Sequence, residues 1–294
     1  MKIQSIFILF NIILAFFIVI ISFFPVLMLG ADMASMFWRY YWFLLIAFVF
    51  LLGFFNSFFL INRRLYNLLE KEDWPALVHY LEDKILRQGK YTKALVRLLA
   101  NSYIILSDFP AVINLENRAA MVKTSLVDDY ALVFGTARIL AKDYLGALRF
   151  FEARLISPRR RLREWMHWYV AFSLVLNRRY ERAWEEFSRL IRTSEDKVII
   201  GLSSYFLSKS ILKALPEKRS ALESAAGEGR TMVFKALPQQ RDWDRKLSKI
   251  RKEVHGMVLS KIFDEAGQWL YTPIDELKEK DLKNEMFSEI FQIK

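Results

Sequence analysis

The chain has no cysteine among its 294 residues. This excludes disulfide bonds, thiolate metal sites and thiol nucleophiles, although it does not fix the cellular compartment. The three histidines, His79, His167 and His255, lie far apart in sequence, and the chain contains no glycine-rich phosphate loop or nucleophile elbow. Since a lone histidine on a helix usually packs or faces solvent, we expect no catalytic, cofactor-binding or metal-binding residues. The sequence therefore predicts a protein that is not an enzyme and needs no cofactor.

Charge is scarce in the first 62 residues. Only Lys2, Asp32 and Arg39 are charged there, so this part carries +1 of the formal net charge of +11 and the remainder carries +10. Lys2 precedes the two apolar runs of this part, and Arg63 and Arg64 follow them. Because basic residues flank the cytoplasmic ends of membrane spans, this pattern predicts that both termini of the segment are cytoplasmic.

Two apolar runs occupy about residues 5–29 and 37–61; the first has no charged residue, and the second contains only Arg39 near its start. At about 1.5 Å per residue, each is long enough to cross the roughly 30 Å hydrocarbon core of a bilayer. The second run opens with the aromatic cluster Trp38–Trp42, which is typical of a membrane interface. We therefore predict a transmembrane hairpin over residues 1–62. A cleaved signal peptide is the alternative for the first run, but the run is long and a second one follows at once.

Five residues within these runs are less lipid-like than their neighbours, and we expect them to pack the two spans together: Asn11, Pro25, Gly53, Asn56 and Ser57. Gly53 and Ser57 form a small-xxx-small pair, a pattern that allows two helices to approach closely.

Four short signatures recur in the middle of the chain, with steps of 35, 35 and 36 residues between their aromatic members: Asp73-Trp74, Asp108-Phe109, Asp143-Tyr144 and Arg179-Tyr180. A fixed period of this length indicates a helical repeat array. An Asp at this place is a good N-cap, so each signature is expected to open the second helix of a pair.

Small residues precede three of the aromatic residues by nine positions, at Ala100, Gly135 and Ala171. A small residue at a fixed register is what a close crossing of two paired helices requires. The apolar positions three and seven residues after the aromatics have one exception, Glu116, which predicts a shifted register or a weaker interface in the second unit. A capping box at Ser125–Asp128 is expected to open the next helix.

The segment Asp143–Glu152, with Gly135 upstream, and the segment Tyr180–Phe187 resemble the tetratricopeptide repeat (TPR) superfamily. The first two units are less similar, since they are one residue short between the aromatic and the small residue. The resemblance covers about residues 65–212. It implies an α-solenoid of antiparallel helix pairs, whose first helices line a concave groove that binds protein partners.

On this register the candidate groove residues are Arg97, Asn101, Leu132, Thr136, Trp165, Trp168 and Phe172. Arg97 and Asn101 resemble two members of the clamp by which some TPR domains hold the C-terminal carboxylate of a peptide. Val133 and Trp165 stand where that clamp has Asn and Lys, so the prediction is a general peptide groove.

An arginine-rich segment surrounds the turn at Ser157-Pro158, and further arginines follow one helix later. The candidate anion-binding patch is Arg159, Arg160, Arg161, Arg163, Arg178 and Arg179. Guanidinium groups bind carboxylates and phosphates bidentately, so an acidic peptide or anionic lipid headgroup could bind there. The alternative is a solvated arginine-rich turn; nucleic acid is disfavoured by the membrane hairpin.

After Pro216 the period fades, but apolar residues from Trp243 to Val258 still recur at helical spacing, and Thr272-Pro273 is a helix start. We therefore predict an all-α fold: a transmembrane hairpin, TPR-like repeats at 63–215 and a helical cap at 216–294. The expected function is a scaffold for a protein complex at the cytoplasmic face of a bacterial-type inner membrane. Two alternatives stay open, namely a periplasm-facing factor in envelope or appendage assembly and an accessory subunit of a transporter.

Overall fold

The computed structural model describes residues 3–155 and 160–273. Helices and the turns between them account for these residues, and no strand occurs within them. The chain divides into two compact units, residues 1–90 and 91–294. The all-α class predicted from the sequence is thus confirmed for the described part of the chain.

The first unit begins with α1, Ile3–Glu70, which leaves helical geometry at Gly30 and Tyr41. Two of its stretches, Phe7–Met28 and Ser35–Glu70, are long and apolar enough to cross a membrane. The boundary that we expected after residue 62 falls inside α1, because the second stretch continues as helix to Glu70.

The two stretches of α1 fold back on each other. The rings of Phe7 and Phe59 stack with their centroids 3.7 Å apart, and the Nδ2 of Asn56 donates a hydrogen bond to the Oδ1 of Asn11 at 2.7 Å. The side-chain amides of the two asparagines are therefore hydrogen-bond partners between two apolar helices, as expected of residues that pack the hairpin.

The expectation for Gly53 and Ser57 differs from the structure. Both residues are exposed, and a β-carbon added at Gly53 would have no neighbour within 4 Å. The hairpin contact is made instead by the face that contains Asn56 and Phe59.

The first unit ends with α2, Trp74–Glu82, and a π-helical turn at Asp83–Arg87. Helix α2 packs against α1. The side chain of Asp73 caps α2 by accepting a hydrogen bond from the backbone N–H of Ala76 at 3.2 Å.

The second unit contains three helix hairpins that follow one another along the chain. Their helices are α3 (Lys93–Ile105) and α4 (Phe109–Val122), then the short α5 (Thr124–Asp128) with α6 (Ala131–Leu140) and α7 (Tyr144–Glu152), then α8 (Arg160–Leu176) and α9 (Tyr180–Thr193). Successive hairpins pack together, since α4 contacts α6, α7 contacts α8 and α9 contacts the next helix. The predicted capping box is not formed: α5 begins at Thr124, and the Oγ of Ser125 has no hydrogen-bond partner.

The turns inside these three hairpins and the turn between α1 and α2 have the same conformation. Glu72, Ser107, Lys142 and Arg178 occupy the left-handed region at φ of 52°, 59°, 60° and 58°. In every case the following residue donates its N–H to the carbonyl five residues earlier, at 2.9–3.2 Å, which completes a Schellman motif. The residue after the left-handed one, whose N–H completes the Schellman motif, is therefore also the N-cap of the second helix.

Helix α10 (Lys197–Phe206) pairs with α12 (Arg219–Ala236) after a π-helical turn at Leu207–Ile211 and the short α11 (Leu212–Ala214). Three helices follow: α13 (Gln240–Ile250), α14 (Val254–Val258) and α15 (Ser260–Tyr271). Helix α15 packs against α10 and α12, and α14 packs against α6, so the chain returns to its own middle. The helix start predicted from Thr272 onward lies almost wholly outside the described residues.

Candidate functional site

The face of α8 that carries Trp165, Trp168 and Phe172 is buried. Trp168 and Phe172 pack on Phe206 of α10, with ring centroids 5.8 Å and 5.4 Å from it. Trp165 contacts His255 of α14, with centroids 5.2 Å apart. Apolar residues at this spacing form one stripe on a helix, and here the stripe is covered by the following helix and by the C-terminal segment.

The predicted groove residues therefore do not form an open surface. Five of the seven have an exposed fraction of 8% or less: Leu132, Thr136, Trp165, Trp168 and Phe172. Arg97 is exposed and lies 6.0 Å from the ring of Tyr130, and Asn101 is half-buried. We correct the sequence-based expectation accordingly: along α6 and α8 the groove is occupied by the protein's own chain.

His255 is held in place from two sides. Its Nδ1 lies 3.4 Å from the hydroxyl of Tyr169, and its Nε2 lies 3.2 Å from a carboxylate oxygen of Glu253. Burial raises the pKa of Tyr169, so the phenol stays neutral. His255 is thus a packing residue that joins α14 to α8, as expected for a lone histidine.

Glu116 belongs to a buried ionic cluster. Its carboxylate pairs with Arg138 of α6 and lies 3.6 Å from Arg154, which is also 3.6 Å from Asp128. Both guanidinium groups lie over the ring of Phe150, at 4.6 Å and 3.9 Å from its centroid. Burial lowers the pKa of Arg154, while the carboxylates of Glu116 and Asp128 act to raise it. Glu116 therefore connects neighbouring hairpins.

The described side chains of the arginine patch do not form one surface. Arg159 lies outside the described residues, and the side chains of Arg160 and Arg161 are not described. Arg163 is exposed near the start of α8, whereas Arg178 and Arg179 are exposed beyond its other end, about 20 Å away at 1.5 Å per residue. This separation is too large for one carboxylate or phosphate to contact both groups.

A cleft of about 840 Å³ opens beside the first turns of α8 and α10 and is bounded on the other side by the end of α12 and by α13. Four acidic and four basic side chains line it: Glu164, Glu195, Asp196, Asp242, Lys197, Arg245, Lys246 and Lys249. Four apolar residues also line it: Val198, Ala236, Leu237 and Ile250. A site with apolar contacts and charges of both signs suits a polypeptide segment.

Several contacts fix the cleft walls. Ser194 donates a hydrogen bond to Glu164 at 2.7 Å, and Asp196 caps α10 by accepting one from the N–H of Val198 at 2.9 Å. At the opposite wall, the hydroxyl of Tyr271 donates to the carbonyl of Leu237 at 2.7 Å. Burial raises the pKa of Tyr271 to about 12, so the phenol remains a donor across the neutral range.

Three of the four basic residues of this cleft, Arg245, Lys246 and Lys249, lie on α13, the helix that carries Trp243. We assigned that helix to a cap, and its apolar face does pack inward, since Trp243 is fully buried and donates its indole N–H to the carbonyl of Phe263 at 3.3 Å. What the sequence did not show is that Lys246 and Lys249 face the start of α10 across an open cleft. No group of three or more acidic, histidine or cysteine residues that could hold a metal occurs in the described ranges.

Comparison with known proteins gives two matches. The model of a family described as an uncharacterised Treponema protein matches residues 111–272. An uncharacterised protein of Treponema pallidum (strain Nichols) is 30% identical over 240 residues, which cover 78% of this chain and 74% of that protein. The family match runs from α4 to α15 and therefore contains the whole charged cleft.

Proposed function

We propose that this chain, which belongs to the family described as an uncharacterised Treponema protein, is a membrane-anchored scaffold that binds a segment of a partner protein in the charged cleft. Under this proposal the N-terminal hairpin holds the chain in the inner membrane, and the helix hairpins that follow are of the TPR type. The partner belongs to a membrane-associated complex.

The charged cleft is the observation that carries this proposal. Its walls come from two different parts of the array, the first turns of α8 and α10 and the terminal helices α12 and α13. Eight charged side chains of both signs and four apolar residues line it, and partners of complementary charge gain specificity from such an arrangement. The shared turn conformation of the helix hairpins supports the TPR-type organisation, because successive units of a repeat array have the same local structure. Such arrays present extended surfaces to partners.

The test is site-specific photo-crosslinking in cells that express the full chain. A photoreactive residue at Lys249, in the cleft, is compared with one at Glu185, which is exposed on α9 and does not line the cleft. We expect a discrete crosslinked partner from the Lys249 position only, and loss of that product when Lys246 and Arg245 are changed to Glu. Equal products from both positions, or no product from the cleft, would overturn the proposal.

The side of the membrane is proposed from the charges around the hairpin. Lys2 precedes it and Arg63 and Arg64 follow it, which favours a cytoplasmic scaffold. A C-terminal fusion separates this from the periplasmic alternative. We expect a fluorescent-protein fusion to fluoresce and an alkaline phosphatase fusion to be inactive; the reverse pattern would place the array in the periplasm.

A further inference from the structure

Basic side chains gather where α1 ends and α2 begins, all within the first unit. A pocket of about 240 Å³ is lined by Arg64, His79, Tyr80 and Lys84, together with Asp83 and Gln88. A neighbouring pocket of about 410 Å³ is lined by Arg63, Arg64 and Lys71, together with Leu60, Asn67, Leu68 and Asp73. Arg64 lines both pockets and therefore connects them.

One aromatic ring supports two of these cations. The guanidinium of Arg64 lies 5.4 Å from the centroid of the Tyr80 ring, and the ammonium of Lys84 lies 5.8 Å from it. Cation–π attraction holds both groups near one point without neutralising either charge. The pocket between them is thus a preformed cationic site.

The acidic residues of the pockets are engaged elsewhere. Asp73 accepts the capping hydrogen bond of α2, and Asp83 accepts a hydrogen bond from Gln88 at 2.7 Å and pairs with Arg87 at 3.8 Å. None of Arg63, Arg64, Lys71 and Lys84 pairs with a carboxylate among the described residues. These cations are available to an external anion.

The hairpin contacts set the depth of the pockets relative to a bilayer. The stretch from Phe7 to Met28 is about 33 Å long at 1.5 Å per residue, which matches the roughly 30 Å hydrocarbon core. Phe59 stacks on Phe7 and therefore lies at the same edge of the core. Arg63 and Arg64 follow Phe59 by four and five residues, about 6–8 Å further along the helix, which places them in the headgroup layer.

The lining of the larger pocket is apolar at one end and cationic at the other, which matches the acyl chain and the phosphate of a phospholipid. Leu60 lies on the core side of the pocket, one residue beyond Phe59, and the cations lie beyond it. An acyl chain can contact the apolar end while a phosphodiester meets the arginines, whose planar groups bind phosphate oxygens bidentately. An acidic peptide would not use the apolar end.

We infer that the connected pockets around Arg64, Lys84, Arg63 and Lys71 bind the headgroup phosphate of an anionic phospholipid. The inference rests on the proposed membrane anchoring, since it is the bilayer that brings the phosphate to this depth. Binding holds α2 at the membrane surface, because Lys84 and Tyr80 belong to the segment that follows α1.

The test uses the full chain, purified in dodecyl maltoside with equal amounts of phosphatidylcholine and phosphatidylglycerol, and counts bound lipids by native mass spectrometry. We expect phosphatidylglycerol to be retained over phosphatidylcholine. The double variant R64A/K84A should bind phosphatidylglycerol about 25-fold more weakly, or about fivefold for each cation removed. The matched control R149A/K235A removes one Arg and one Lys from exposed helix positions in the second unit and should leave the preference unchanged.

Two further experiments separate loss of lipid binding from misfolding and from loss of membrane anchoring. The charge-conserving variant R64K/K84R should keep the lipid preference, which separates charge from misfolding if R64A/K84A does not fold. Carbonate extraction of cell membranes tests the anchoring independently, so extraction of the unaltered chain would contradict the proposed function. Unchanged lipid preference in R64A/K84A, loss of preference in R149A/K235A, or displacement of the lipid by an equal concentration of inorganic phosphate would overturn the inference while leaving the anchoring intact.

Discussion

The ring of Phe151 on α7 fills the space in which a β-carbon on Gly135 of α6 would lie. Gly135 stands nine residues before the aromatic of the third signature and Phe151 stands seven residues after it. The two positions that recur in the sequence pattern are thus the two sides of one close helix crossing. The same Phe151 ring stacks on Tyr169 of α8 with centroids 4.8 Å apart, so the crossing also contacts the next hairpin.

Adding one methyl group at this crossing should destabilise the protein. We expect Gly135→Ala to lower the free energy of unfolding by about 1–3 kcal/mol, because the ring of Phe151 has to move within a packed core. Gly227→Ala is the matched control, since Gly227 lies in α12 with no heavy atom within 4 Å of its would-be β-carbon. That change should stabilise α12 by about 0.5–1 kcal/mol. Urea unfolding of both variants provides the measurement, and equal effects of the two changes would argue against the crossing.

Removing the charge of Glu116 should be more costly than removing an exposed one. Glu116→Gln removes the carboxylate that pairs with the largely buried guanidinium of Arg138 and leaves Arg154 with the more exposed carboxylate of Asp128, which is expected to cost about 3–5 kcal/mol. Glu223→Gln, in an exposed ion pair with Arg219 at 3.4 Å, should cost less than about 1 kcal/mol. Thermal unfolding monitored by circular dichroism separates these values. A loss below that of Glu223→Gln would show that the buried cluster contributes nothing.

The fourth hairpin turn can be improved by one substitution. Arg179 has φ −94° and ψ 65°, close to the −85° and 69° of Asp143, but its side chain forms no capping hydrogen bond, whereas Asp143 accepts one from Gly146 at 2.9 Å. We expect Arg179→Asp to raise the free energy of unfolding by about 1 kcal/mol and Asp143→Ala to lower it by a similar amount. Chemical denaturation of the two variants beside the parent chain checks the opposite signs. A destabilised Arg179→Asp would mean that Arg179 has a role other than closing the turn.

Acid should weaken α9 through Glu186. Burial acts to raise the pKa of this carboxyl, but the hydrogen bond from His167 and the charge of Arg189 outweigh it, so the pKa lies below the ordinary 4.5. A carboxyl with a depressed pKa stabilises the fold above its unfolded-state pKa, and this stability is lost as the pH falls from about 4.5 through the lower folded-state value. Urea midpoints between about pH 5 and about pH 3 should therefore fall less for Glu186→Gln than for the parent chain. Parallel pH profiles would contradict this assignment.

Local features of the fold were predictable from the sequence because they depend on residues close together in the chain. The N-caps at Asp73, Asp108 and Asp143 and the small residue at Gly135 all act within one helix hairpin. The left-handed residue of each turn was not predictable, since Glu72, Ser107, Lys142 and Arg178 share no side-chain chemistry and the conformation is imposed by the backbone hydrogen bonds.

The candidate site depends on contacts across long sequence separations, which left no local signal. Trp165 is covered by His255, 90 residues later, so a stripe that resembled a groove became part of the core. Glu116 breaks the apolar pattern of its helix because its partners are distant in sequence: Arg138 lies in α6 and Arg154 lies in the turn after α7. The charged cleft likewise forms only when α13 returns to face α10.

The shared residue of each hairpin turn also decides where the array can yield under mechanical load. A turn in which one residue both ends the first helix and caps the second has no additional residue that can extend, so each hairpin should respond to a pulling force as one rigid unit. The link at Lys123 is different, because this residue is in an extended conformation, at ψ of 111°, and no side-chain hydrogen bond caps the helix that starts after it. Under the proposed membrane anchoring, a pulling force on a bound partner should therefore open this link first and leave the hairpin turns folded.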